Sequence, residues 1–161
     1  MTSTKGATID TTPLTGTDLL ATAFRLAADA HAGQTDKAGQ PYLAHPMRVA
    51  ARVVAHGDHA VAAALLHDVV EDSDRTIDDL RAAGMPNGVC AAVDALTKRN
   101  GDDYEAAIRR AAADPVAVHV KAADMADNAD PARLALLNPE LRDRLTTKYT
   151  EGRRLLAAHR P

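Results

Sequence analysis

The chain has 161 residues, a formal net charge of -3 and a hydrophobic content of 46%, which suits one domain with a sizeable core. A charge of that sign gives no basic field, so neither nucleic acid nor a membrane surface is expected as a partner. Aromatic residues make up 2%, so the core must be assembled from Ala, Val and Leu, which favours closely packed helices.

The first 14 residues, beginning MTSTKGATIDTTP, contain no apolar run and read as a polar, flexible tail before a domain at 15–161. No stretch is long and apolar enough to span a bilayer. Cys90 is the only cysteine, so no intrachain disulfide forms and a reducing, cytoplasmic setting is expected. Helices are expected near 17–33, 46–56, 59–71, 77–83, 86–98, 102–113, 115–128, 131–137 and 139–158. Asp114-Pro115, Asp130-Pro131 and Asn138-Pro139 each place a capping side chain before a proline at the first helical position. His45-Pro46 has the same form with a weaker cap, and Thr76 with Asp79 resembles a capping box. VAVHV at 116–120 alternates like a short strand, but its Asp-Pro start and the KAADMADN that follows favour a helix. The segment QTDKAGQPYLAH at 34–45 is a long polar loop. The chain therefore reads as a single all-α bundle of about eight to nine helices. Leu141, Leu145, Leu155 and Leu156 let the last helix pack on the core or on a second copy, so a homodimer stays open.

LLHDVVED at 65–72 sets His67, Asp68, Glu71 and Asp72 in an apolar stretch. On a continuous helix, His67 lies under Glu71 and Asp68 under Asp72. Such groups are costly to bury without partners. One imidazole beside one carboxylate suits a borderline divalent cation, yet this pair supplies only two ligands. His45, at the end of the polar loop, and Asp124, in KAADMADN, are candidates for the others. Together they give two nitrogen and two oxygen donors, leaving Glu71 and Asp72 to orient outer ligands or handle protons. Lys121 and Asn128 fall near the same helical face as Asp124. His31, His56, His59, His119 and His159 lack comparable company and read as surface or satisfied core histidines.

HAGQTDKAGQPYLAHPMRVA at 31–50, AALLHDVVEDSDRTIDDL at 63–80, ALTK at 95–98 and VKAADMADN at 120–128 occur in this order. As a set they resemble the HD-domain phosphohydrolases, in particular the hydrolase domain of the RelA/SpoT family and its small stand-alone alarmone hydrolase relatives. The likeness runs from about residue 20 to 137. It implies an all-helical bundle holding one divalent ion, usually Mn²⁺, on His45, His67, Asp68 and Asp124. It also implies that Glu71 and Asp72 handle the attacking water, that Lys37 faces substrate phosphate and that Asn128 lies near the nucleoside. Tyr42 is a candidate to pack against a base, and Lys98, Arg109 and Lys121 are further candidates for phosphate. Such relatives remove the 3′-pyrophosphate of ppGpp and pppGpp, and that reaction on a small nucleotide is the expected function. The alternatives are a phosphomonoesterase acting on NADPH or another 2′/3′-phosphorylated nucleotide, and a non-catalytic metal-stabilised nucleotide sensor. Two departures stand out. Asp36-Lys37 replaces the family's Arg-Lys, and Met125, Ala126 and Asp127 replace a basic residue, Leu and His/Tyr. Both remove positive charge where a polyanion is to bind.

Overall fold

The run DHAVAAALL has no polar face, and it becomes the central helix α3 (Asp58–Leu66) of an all-α bundle. A helix that is apolar all round must be enclosed by others. The computed structural model, which describes residues 12–159, packs α1 (Gly16–Ala30), α2 (Ala44–Arg52), α6 (Asn87–Leu96) and α8 (Ala117–Asn128) against it. Ala60, Ala62, Ala63 and Ala64 are all buried at these contacts, their small side chains allowing close approach. Gly57, at φ +88, supplies the left-handed residue that turns the chain from the 3-10 turn Val54–His56 into α3. The remaining helices are α4 (Val69–Asp72), α5 (Ile77–Ala82), α7 (Tyr104–Ala113), α9 (Pro131–Leu134) and α10 (Pro139–His159). Among the described residues there is no β-strand, only an isolated bridge between Thr35 and Pro41.

The core has two parts that meet at α8. Leu19, Val49, Leu66, Val69, Leu80 and Val93 belong to the first, with Ala117, Val120 and Ala123 of α8. Ile108, Leu134, Leu145, Tyr149, Leu155 and Leu156 belong to the second, with Val118 and Met125 of α8. Since α8 lends apolar side chains to both, its polar positions emerge along the seam. The leucines of α10 pack on this chain's own core.

Asp130 caps α9 and Pro131 stands at its first turn, Asn138 accepts the Leu141 N–H at the start of α10, and Thr76 and Asp79 form the expected capping box. Two expectations need correction. His45 is no cap: α2 begins at Ala44, Leu43 stands at its cap, and the His45 side chain is buried. The helix expected over 59–71 is broken at His67-Asp68. Residues 1–11 of the expected tail lie outside the described residues, but Leu14 packs on the core and its N–H donates to the Gly84 carbonyl at 3.0 Å.

Gly152 in α10 faces a close approach, since a Cβ there would collide with the Tyr104 hydroxyl and lie 3.1–3.2 Å from Met125. Gly→Ala in a helix normally gains about 1 kcal/mol, whereas overpacking costs about 1–3 kcal/mol. Gly152→Ala is therefore expected to lower the free energy of unfolding, read by urea denaturation; a gain in stability would show the approach to be loose.

Candidate metal centre

The chain leaves α3 at His67, whose Nδ1 donates to the Ala64 carbonyl at 2.7 Å. That bond fixes the ring and leaves Nε2 facing inward. Asp68 then starts α4, its carbonyl accepting the Asp72 N–H at 2.9 Å, so the Asp68–Asp72 register survives the break.

Four side-chain atoms converge here. Asp68 Oδ2 is 2.9 Å from His67 Nε2 and 3.7 Å from His45 Nε2. Asp124 Oδ1 is 3.3 Å from His45 Nε2 and 3.8 Å from His67 Nε2. Donors each about 2.1 Å from one ion stand about 3.0–3.4 Å apart at tetrahedral or octahedral angles, and the observed distances bracket that span. His67 Nε2 is buried without a hydrogen-bond partner, because the nearby Asp68 oxygen is not aligned with it. A buried nitrogen left this way fits a metal donor. The donor atoms of His45, His67 and Asp68 lie within 4.8 Å of one another, and these three can hold a divalent metal ion.

Each donor is braced from behind. His45 Nδ1 pairs with Asp127 Oδ2 at 2.7 Å. The Tyr42 hydroxyl donates to Asp68 Oδ2 at 2.6 Å. Asp124 accepts from Lys121 Nζ at 2.9 Å and from Asn128 Nδ2 at 2.6 Å. Tyr42, Lys121 and Asn128, expected at the substrate, thus spend polar atoms on candidate ligands while still lining the cleft.

The cleft over these donors has a volume of about 700 Å³ and is lined also by Lys37, Glu71 and Asp72. A recess of about 460 Å³ continues past Glu71 to Lys98, Lys121 and Lys148. Glu71 accepts the Lys98 N–H at 3.2 Å. Partial desolvation and the charge of Asp68 raise the Asp72 carboxyl above its usual range. Arg109 pairs instead with Glu105 at 2.9 Å, away from the cleft.

Several residues escaped the sequence reading. Asp127 is fully buried and pairs with His45, Arg48 and Arg133. Its place three residues after Asp124 on one helix was the available signal. Arg48, Arg133 and Lys148 also line the cleft, but Arg48 and Arg133 pair with Asp127, and Arg133 with Asp36 as well, so their charge is largely spent on those carboxylates. His31 is buried, donates from Nδ1 to Gln34 Oε1 at 2.9 Å, and stacks obliquely on Tyr42 at 4.8 Å.

Burial disfavours charge on His67, but the negative charges of Asp68 and Asp124 outweigh it and lift the imidazole to about 9. His45 is raised too, burial being overcome by Asp124 and Asp127. For a pKa raised above the unfolded 6.5, the stabilisation is complete below that pH and lost as pH climbs through about 9. A divalent ion must displace these protons, so its affinity rises over the same window. Thermal melts from pH 6.5 to 9 are thus expected to show a falling midpoint without metal and a growing Mn²⁺ shift. A Mn²⁺ shift independent of pH would rule out the paired imidazoles as its donors.

A bundle whose central helix ends in His-Asp beside a second His and a distant Asp defines a class of protein by its site as much as by its helices. The family model for the HD domain matches residues 23–133, and the chain belongs to that family. It is 33% identical over 116 residues to a guanosine-3′,5′-bis(diphosphate) 3′-pyrophosphohydrolase of Aquifex aeolicus, covering 66% of this chain and 16% of that protein. It is 32% identical over 143 residues to the bifunctional (p)ppGpp synthase/hydrolase SpoT of Escherichia coli K12, covering 80% of this chain and 20% of that one. The chain thus spans a fifth or less of the length of these relatives. A solved structure reported as "A metazoan ortholog of SpoT hydrolyzes ppGpp and plays a role in starvation responses" has the same fold. Its TM-score is 0.73 at 24% identity, over 91% of this chain and 89% of that one. No helix among the described residues is long and apolar enough to cross a membrane.

Proposed function

We propose that the protein is a metal-dependent phosphohydrolase that removes the 3′-pyrophosphate of a nucleotide of the ppGpp type. The observation that carries this reading is the convergence of His45 Nε2, His67 Nε2, Asp68 Oδ2 and Asp124 Oδ1 at the floor of a cleft walled by two acids and several lysines. The names of the relatives support the substrate class. His45, His67, Asp68 and Asp124 would hold the ion, with Mn²⁺ as the favoured metal. When bound, such an ion supplies a water of lowered pKa and polarises a phosphoryl oxygen.

The chain's own residues do the rest. Asp72, its carboxyl raised by burial and Asp68, accepts the proton of the attacking water, and Glu71 orients that water. The water oxygen bonds to phosphorus as the bond from phosphorus to the 3′-oxygen breaks, and pyrophosphate leaves. The freed 3′-oxygen takes a proton from solvent, and Asp72 returns its own to solvent. Lys37, Lys98 and Lys148 are placed along the cleft and its recess to meet the growing negative charge. Tyr42 keeps Asp68 in position through its hydroxyl.

Phosphorus NMR of ppGpp, pppGpp, ppApp, NADPH and 3′-phosphonucleotides incubated with the protein and Mn²⁺ tests the proposal. Pyrophosphate from a 3′-diphosphate is the expected product. Orthophosphate from NADPH would replace this reading with a phosphomonoesterase, and binding without turnover would replace it with a nucleotide sensor.

A further inference from the structure

A continuous run of hydrogen bonds leads from the polar loop to a candidate metal donor. Asp36 Oδ1 accepts the Ala38 and Gln40 N–H groups at 2.9 and 3.0 Å, and the Asp36 N–H donates to the Gln40 carbonyl at 2.8 Å. The loop is thereby folded back on the Asp36 carboxylate. Asp36 Oδ2 accepts from Arg133 Nη2 at 3.2 Å, across 97 residues of sequence. Arg133 Nη1 donates to the Asp127 carbonyl at 3.1 Å and also to Asp127 Oδ2. That same Oδ2 is 2.7 Å from His45 Nδ1. One guanidinium therefore holds the hub of the loop with one nitrogen and the carboxylate behind His45 with the other. The Asp36 side chain is 13% exposed and that of Arg133 25%, so solvent screens the run only in part. The rigid guanidinium fork suits the task, because moving one end moves the other.

We propose that Arg133 is a positioning residue that couples the order of the 34–42 loop to the grip of His45 on a divalent ion; this rests on the metal reading above. An ion on His45 Nε2 fixes the ring and, through Nδ1, the place of the Asp127 carboxylate; Arg133, held by the carbonyl and carboxylate of Asp127, is then fixed towards Asp36. Coupling of binding free energies is reciprocal, so an ordered loop raises the ion's affinity by the same factor. Asp36, at the position where the family pattern has Arg, acts as the loop's anchor to the metal centre.

The test needs no substrate. Mn²⁺ affinity is measured by calorimetry for the wild type, Asp36→Asn and Arg133→Gln, and amide hydrogen exchange of residues 36–40 is followed with and without Mn²⁺. In the wild type, Mn²⁺ is expected to slow exchange in the loop. Asp36→Asn, although residue 36 lies outside the donor set, is expected to bind Mn²⁺ about fivefold more weakly and to lose the Mn²⁺-dependent protection. Arg133→Gln should behave alike, and the double variant no worse than Arg133→Gln alone. Should Arg133→Gln fail to fold, Asp36→Asn decides the matter. A purely structural ion pair would alter thermal stability and leave the Mn²⁺ affinity at the wild-type value, and that result would overturn the coupling while sparing the metal centre. A wild type that binds no Mn²⁺ would overturn both.

Discussion

Asp68→Ala is expected to abolish both the stabilisation of the protein by Mn²⁺ and all hydrolysis. Asp68 Oδ2 is the oxygen 2.9 Å from His67 Nε2 and 3.7 Å from His45 Nε2, so its removal takes away the carboxylate that stands nearest to both imidazoles. At a Mn²⁺ concentration of 100 times Kd, mass action adds about 2.7 kcal/mol to stability. For a domain of this length that corresponds to a rise of about 5–10 °C in Tm, and the variant should show none of it. The Tyr42 hydroxyl, which donates to Asp68 at 2.6 Å, also loses its acceptor, at a cost of about 1–3 kcal/mol. The metal-free variant is therefore weakened as well. Asp68→Asn separates the two effects, since the amide oxygen still accepts from Tyr42 while the ligand charge is gone. Without metal it loses the charge that raises His67, so it should melt below the wild type at pH 6.5 with the gap closing towards pH 9, and at every pH it should fail to respond to Mn²⁺. A full Mn²⁺ shift in both variants would remove Asp68 from the ligand set.

Glu71→Gln and Asp72→Asn should do the opposite: keep the Mn²⁺ shift and lose turnover by about 10²–10⁴-fold, the usual contribution of a positioned acid or base. The four converging donor atoms belong to His45, His67, Asp68 and Asp124 and to neither acid, so metal binding is expected to survive both substitutions. Gln at 71 still accepts the Lys98 N–H now held by Glu71, which preserves the geometry while removing the basicity. The Asp72 carboxyl, raised by burial and by Asp68, is the proposed proton acceptor and should show the larger loss. The comparison is of kcat on the hydrolysed nucleotide at saturating Mn²⁺. Wild-type kcat in both variants would show that the cleft's acids are spectators, and a lost Mn²⁺ shift would make them ligands.

Much of the fold could be read along the chain because its causes are local. Asp130-Pro131 and Thr76 with Asp79 mark helix starts through bonds made within three residues. An Ala-rich run with no polar face announces a central helix before any packing is known. The break at His67-Asp68 was not legible, because a His inside an apolar helical pattern looks the same whether its ring bonds a carbonyl or faces a neighbour. The Nδ1 bond to the Ala64 oxygen is a side-chain choice that the residue pattern does not reveal.

The same division runs through the site. By itself the sequence determined which side chains are able to ligate a divalent ion and that His67 and Asp68 are adjacent, since residue chemistry and spacing are properties of the chain. Only the tertiary structure decided that His45 and Asp124 reach the same point, and that Asp127 stands behind His45. It also decided that Asp36 faces Arg133. These pairings join segments separated by tens of residues, and the packing of α2, α8 and α9 brings them together. Whether a charge in this protein is exposed, paired or aimed at an ion depends on what lies across the seam at α8, which no local pattern encodes.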